Sequence, residues 1–201
     1  TSVSHFGFIA LGIFAMTSQG QSGATLYMLN HGFTIAALFI IVGYLVSRRG
    51  SPMIADFGGV HKVAPVLAGS FLLAGLSSLA LPGLSSFVSE FLVLVGTFER
   101  YRVAGALAVI GIVLAALYIL LMYQRTMTGP TPDVVREQVH DLRLRERVAI
   151  APLLALIIAL GFVPQPVLNV INPAVQRVMT AVGATDPAPD VPTPTAEGAT
   201  P

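Results

Sequence analysis

Apolar residues run along this chain in blocks much longer than one face of a soluble helix requires, with polar residues as short punctuation between them. Residues 1–47 contain no Asp, Glu, Lys or Arg, and neither do 63–89, 103–124 or 148–176. A hydrocarbon layer of about 30 Å is crossed by about 20 helical residues. In lipid only a helix satisfies its own backbone hydrogen bonds without neighbouring strands. The pattern therefore predicts an all-α integral membrane fold of about six transmembrane helices. The first covers residues 3–16, and a polar, glycine-containing connector (17–23) leads to the second, 25–46. Ser47, Arg48, Arg49, Gly50, Ser51 and Pro52 close it at the water interface.

The stretch 63–98 carries a single charge and is too long for one span. Pro82-Gly83 divides it near the middle, and because proline removes a helical hydrogen bond and glycine permits a reversal, a tight helical hairpin is expected there. Its arms, 65–81 and 84–98, are short enough to be tilted or discontinuous helices of the kind transporters place around ion paths. The fifth span covers 103–127 and ends at Gly129-Pro130. A mixed-charge loop, 133–147, reads as a solvated surface, and the sixth span covers 148–162. These spans form a bundle over residues 1–166. Within 167–184, Val167, Leu168, Ile171, Val175, Val178 and Val182 recur at helical spacing, as in an amphipathic helix lying along the interface. Residues 185–201, rich in Pro, Ala, Thr and acids, are expected to be a disordered tail.

Composition sharpens the class. The chain is 54% hydrophobic and only 10% charged, with a mean hydropathy of +0.78; soluble domains carry roughly 25% charged residues. No basic patch points to nucleic acid. With no cysteine, neither a disulfide nor a thiolate-bound iron–sulfur cluster can form. There is no glycine-rich phosphate loop and no His/carboxylate cluster at metal spacing, so no catalytic or cofactor-binding residue is expected in this chain. The start at Thr1, directly in apolar sequence, reads as a truncated chain. Six spans would place five cationic residues on one face and six on the other, which leaves orientation undecided by the positive-inside rule.

Glu90 is the one carboxylate inside a predicted span. A charged acid in the hydrocarbon layer costs about 2.5–3.5 kcal/mol on insertion scales, so such a residue is normally partnered, hydrated or functional. A protonated acid making one structural hydrogen bond is the plain alternative. On the second span Tyr27, Asn30, His31 and Thr34 share a face through i, i+3, i+4 and i+7 spacing. A polar stripe on an apolar helix points into the bundle, and histidine accepts a proton on one nitrogen while donating from the other. His5, beside Ser2 and Ser4, is a weaker candidate of the same kind. Tyr118 lies deep in the fifth span, where packing is the simpler reading.

Three motifs carry a resemblance. Thr1-Ser2-Val3-Ser4-His5-Phe6-Gly7-Phe8, then Leu29-Asn30-His31-Gly32 followed by Ala36-Ala37-Leu38-Phe39, then Leu81-Pro82-Gly83-Leu84-Ser85-Ser86-Phe87-Val88-Ser89-Glu90-Phe91 resemble the antiporter-like membrane subunits of respiratory complex I, the NADH-quinone oxidoreductase. The likeness runs from Thr1 to about Pro166. Glu90 matches the M-type branch, where sister subunits and many Mrp-type antiporters have a lysine. The resemblance implies part of a fourteen-helix fold of two inverted repeats, with this chain supplying helices nine to fourteen. It also implies a hydrated row of Lys, His and Glu whose central lysines precede Thr1. The implied function is proton translocation, with Glu90 as terminal proton site, His31 as relay, His5 as a further member, and Tyr27, Thr34, Ser86 and Ser89 orienting water. NADH, FMN, iron–sulfur clusters and quinone would be held by partner subunits, and the partners would be the other membrane subunits of complex I within a bacterial plasma (inner) membrane. A subunit of a Mrp-type cation/proton antiporter or membrane-bound hydrogenase is the first rival. A passive scaffold span is the second.

Overall fold

The computed structural model describes residues 2–188; residues 189–201 of the expected tail lie outside the described residues. The helices are α1 (Ser2–Phe14), α2 (Ser18–Arg49), α3 (Pro65–Ser78), α4 (Ser85–Arg100), α5 (Arg102–Met127), α6 (Asp133–Gln138), α7 (Leu144–Phe162) and α8 (Gln165–Ala181). Two single turns of 3₁₀-helix, Ile54–Asp56 and Val60–Lys62, lie in the loop after α2. Among the described residues, α2 and α5 are each long and apolar enough to cross a membrane, and α7 with α8, bent by 71°, qualifies as a pair. The apolar α1 and α3 are shorter.

The expected connector at 17–23 is helical instead. Thr17, in extended backbone, caps α2 by accepting from Gly20 N, and the helix continues without a break to Gly50 in the left-handed region. Glycine in this segment serves contact rather than turning. A Cβ on Gly23 would lie 2.7 Å from Leu92 Cβ, and one on Gly96 would lie 2.3 Å from Gly20 N. Helix association in lipid relies on such close packing, because apolar burial supplies no drive there.

The 32-residue α2 is the axis of the molecule: α1, α3, α4, α7 and α8 all pack against it. The order of those contacts corrects the expected hairpin. From one end of α2 to the other, Leu45, Ile41, Leu38 and Ala37 share a core with Leu67, Ala68, Phe71 and Ala74 of α3. Thr34 then meets Ser77 at 2.9 Å and Ser86 at 3.5 Å. Asn30 meets Ser85, Tyr27 meets Glu90, and Thr17 meets Gly96. Thus α3 and α4 follow one another down α2 in a single direction. From Leu45 to Thr17 that path is about 42 Å at 1.5 Å per residue. The antiparallel α5 runs back along both halves: Gly105 packs on Phe98 of α4, Ile119 lies opposite Gly75, and Tyr123 reaches Ala68 O of α3.

Pro82-Gly83 therefore interrupts a path without reversing it. Ala80 and Gly83 take positive φ of 55° and 92°, and these two local kinks absorb the interruption. A proline–glycine pair dictates that the helix stops; the direction afterwards is set by the continuous face of α2. The end of α7 presses on this break, since a Cβ on Gly161 would fall 2.2 Å from Gly83 O.

Both ends of the bundle are tied by polar contacts. At the Arg48 end, Arg48 pairs with Glu146 at 2.6 Å. There Asp141, in the loop before α7, accepts from Val66 N and Leu67 N at 3.1 and 3.0 Å. Ala64, at the start of α3, supplies no side-chain cap, so Asp141 satisfies first-turn donors from a distant part of the chain. At the other end, Ser22 donates to Asn172 Oδ1 at 2.9 Å and Ser18 N to Asp186 at 2.7 Å. There α8 sets Ile171, Val175 and Met179 against Leu26.

Candidate functional site

Five helices bring their polar side chains to one layer beside the α3–α4 break. From α1 comes His5, from α2 Tyr27, Asn30, His31 and Thr34, from α3 Ser77 and Ser78, and from α4 Ser85, Ser86, Ser89 and Glu90, each of them buried. Tyr118 of α5 faces Ser4 and Glu90. The layer is polar because α2 repeats its polar positions at helical spacing, while the broken path places serine pairs on both sides of the interruption.

Within it, hydrogen bonds join Ser78, His5 and Tyr27. The Tyr27 hydroxyl faces the Glu90 carboxyl. His5 Nδ1 lies 2.6 Å from that hydroxyl and His5 Nε2 lies 3.2 Å from Ser78 Oγ. When Glu90 is ionised it only accepts, so in that state Tyr27 turns its hydroxyl proton toward Glu90 and accepts from His5 Nδ1, while Ser78 donates to the free Nε2. In that state donors and acceptors point one way, from Ser78 through His5 and Tyr27 to Glu90. Passing a proton along such a chain leaves imidazole in its other tautomer, which is how a histidine relays.

His31 joins this layer by ring contact. Its centroid lies 5.0 Å from that of His5, 5.7 Å from Phe6 and 6.4 Å from Tyr27. The direct link to Tyr27 is made by His5, which sequence spacing ranked lower. Of the remaining candidates, Thr34 and Ser86 belong to the hydroxyl group with Ser77, and Ser89 accepts from Asn30 Nδ2 at 3.3 Å while donating to Ser86 O at 2.9 Å. Sequence reading passed over Ser77, Ser78 and Ser85 as site residues and took Tyr118 as packing. The available signal was the serine pair on each side of Pro82-Gly83.

No group of three or more His, Cys, Asp or Glu able to hold a metal occurs among the described residues. The layer is a line of ionisable and hydroxylic groups buried among apolar helices.

Residues 1–115 match the profile of the family described as NADH:quinone oxidoreductase/Mrp antiporter, transmembrane region. The chain belongs to this family. Members of the NADH:quinone oxidoreductase/Mrp antiporter family that resemble it include NADH-quinone oxidoreductase subunit M of Mycobacterium tuberculosis, 58% identical over 95% of this chain and 34% of the relative. Subunit M of Rickettsia bellii is 41% identical over 89% of this chain and 36% of its own length. The chain thus spans about a third of the relatives it matches. Among solved structures, respiratory complex I from Thermus thermophilus with bound NADH contains a chain superposing with a TM-score of 0.82 at 29% identity, covering 90% of this chain and 38% of that one. A chain of the Mrp complex from a Dietzia species gives 0.74 at 22% identity, covering 89% and 41%, a likeness of fold alone. With its apolar helices, this membership makes the protein a multi-pass membrane protein of the antiporter-like class.

Proposed function

We propose that this chain is part of a proton-translocating membrane subunit of a bacterial NADH-quinone oxidoreductase, with Glu90 as its terminal proton site. The supporting observation is the buried chain Ser78–His5–Tyr27–Glu90 at the interruption of a membrane path. A carboxylate at that depth can lose and regain a proton through Tyr27 without contacting lipid. Tyr27, Thr34, Ser86 and Ser89 orient protons and water around it, His5 is the direct relay, and His31 shapes its ring environment. Electron transfer, with NADH, FMN, iron–sulfur clusters and quinone, belongs to partner subunits, and this chain lies in the plasma membrane. Identity of 58% to a subunit M favours this reading over a Mrp-type antiporter.

The chain crosses the membrane five times in this reading, by α1, α2, the broken pair α3–α4, α5 and α7, as part of a longer fourteen-helix subunit. The helix α8 lies obliquely at the membrane boundary. The test is Glu90→Gln in the full-length subunit within its complex, measured by NADH-driven acidification of membrane vesicles. Glutamine keeps shape and hydrogen bonding but removes the exchangeable proton. We expect assembly to persist and proton transfer to fall by at least about a hundredfold, the lower end of what a positioned acid–base group contributes. Glu90→Asp retains the acid and is milder. Full pumping by an assembled Gln variant would assign the chain a scaffold role, and sodium-driven proton exchange without NADH would favour the antiporter.

A further inference from the structure

Two elements of this fold are broken, and their breaks touch. The path α3–α4 is interrupted at 79–84, and α7–α8 bends by 71° after Phe162. A Cβ on Gly161 would clash with Gly83 O and lie 2.7 Å from Leu84 Cα, so backbone meets backbone there and only glycine fits. Leu84 and, one turn earlier on α7, Ile157 are buried in the same core.

At the Arg48 end the same two elements are fastened again, and both fastenings come from one short segment, residues 141–147. Asp141 takes Val66 N and Leu67 N at the start of α3. Glu146, in the first turn of α7, takes the Arg48 guanidinium at 2.6 Å. Arg48 also donates to Tyr44 O at 3.0 Å and to Asp141 O at 3.4 Å, so one side chain of α2 holds both fastenings. The two side chains are 12% and 22% exposed, and a partly buried ion pair is screened less than one in open water. The segment is stiffened from within, because Arg147 Nε donates to Leu142 O at 2.8 Å and Glu146 accepts from Arg143 N at 2.7 Å.

Thus α3 and α7 are joined at both ends, by residues 141–147 at one and by Gly83 against Gly161 at the other. The joints are about 26 Å apart along α7, from Leu144 to Gly161 at 1.5 Å per residue. Two rods joined only at the breaks would be free to slide; the second joint fixes their register. A slide of α7 by one residue rise, about 1.5 Å, drives backbone into backbone at Gly161 and must part the two breaks. We propose that residues 141–147, held by Arg48, form a clamp that keeps α3 and α7 in register, and that releasing the Arg48–Glu146 pair loosens the α3–α4 break. A change at the Arg48 end is thereby felt at Gly83 and Leu84. Pro152 lies between clamp and break and leaves one carbonyl of α7 without its helical donor. Burial of Ile150 and Ile157 on either side of it keeps the rod in place. The clamp is independent of the proton role given to Glu90, and its readout is amide exchange, not pumping.

The test is hydrogen exchange in the full-length subunit within its assembled complex. The Leu84 and Phe87 amides, bonded to Leu81 O and Leu84 O at 3.1 Å each, report on the break. Arg48→Gln should speed their exchange at least about threefold and leave the Val93 and Gly96 amides of α4 within about 1.5-fold, as a local opening does. Glu146→Gln, which keeps an acceptor for Arg143 N, should act in the same direction, so either variant that assembles serves. Arg48→Lys retains the charge and should stay within about twofold of the unsubstituted complex. Gly161→Ala parts the breaks directly, and adding Arg48→Gln to it should speed exchange no further, because the clamp then has no contact left to hold. Unchanged exchange at Leu84 and Phe87 in the assembled Gln variant would overturn the proposal and show that packing along α7, or slack at Pro152, isolates the break. Equal acceleration at Val93 and Gly96 would overturn it as well, by making the ion pair a general support of the bundle.

Discussion

Among the described residues Tyr27 stands between His5 and Glu90, bonded to His5 Nδ1 and facing the carboxyl. Tyr27→Phe keeps the ring, and with it the packing among Phe8, Ile9, Ala24 and Val93, while deleting the hydroxyl. The geometry separates the two histidines as well: His5 bonds both neighbours through its ring nitrogens, and His31 meets the layer through its ring face and edge. Tyr27→Phe and His5→Leu should therefore each cut NADH-driven acidification by at least about tenfold, less than the roughly hundredfold or more for losing a positioned acid–base group, with His31→Leu milder. A vesicle assay on the three assembled variants checks the order. If His31→Leu proved the more damaging of the histidine variants, His5 would lose its relay role. Helical phase in the sequence made Tyr27, Asn30, His31 and Thr34 legible as one inward stripe, and an intramembrane acid made Glu90 conspicuous. It could not rank His5 above His31, because that order depends on which side chain of α1 meets which turn of α2, a matter of interhelical register.

At the scale of elements, the half-helix α3 is fastened at one end and interrupted at the other. Its fastening is Asp141, whose carboxylate takes Val66 N and Leu67 N and also its neighbour Leu142 N at 2.8 Å. Burial pushes the Asp141 carboxyl up, but the Leu142, Leu67 and Val66 amides and the Arg147 charge together hold it below the ordinary aspartate value. A carboxylate depressed on folding stabilises the folded state fully above its unfolded pKa, and the contribution is lost as pH falls through the folded one. The fastening is therefore intact at neutral pH and weakens only in acid below about pH 4, the ordinary aspartate region. Asp141→Ala should cost about 1 kcal/mol, the usual loss of a helix cap. Hydrogen exchange at the Val66 and Leu67 amides should speed by about fivefold at pH 7. Unchanged exchange would mean that the α3 terminus is held by packing alone. No local sequence signal marks this cap, because Asp141 lies 75 residues after Val66. The break itself was legible from Pro82-Gly83, but its geometry was not: a breaker removes hydrogen bonds without specifying an angle, and the long face of α2 selects the straight continuation.

For the whole molecule, that continuation changes which charges share a side of the membrane. With α3 and α4 as one crossing, Arg48, Arg49, Lys62, Arg125, Arg136, Arg143, Arg145 and Arg147 gather at one end of the bundle, where Arg48 meets Glu146 and Lys62 meets Gly129 O. Arg100, Arg102 and Arg177 are at the other, where Arg100 bonds Thr185 O. Eight of the chain's eleven cationic side chains thus lie together, whereas a hairpin would have divided them five to six. An excess of Lys and Arg in short loops marks the cytoplasmic face, so the Arg48 end is expected to face the cytoplasm and the Arg100 end the opposite side. The chain contains no cysteine, which permits single reporter thiols within it. Ala55, in the loop after α2, and Thr185, after α8, are both exposed, and either accepts cysteine without disturbing the buried layer. In intact cells a membrane-impermeant maleimide should label Thr185→Cys and spare Ala55→Cys; in inverted vesicles the pattern should reverse. Both sites labelling from one side would restore the hairpin and its sixth crossing. Labelling of Ala55→Cys alone in intact cells would keep five crossings but turn the bundle over.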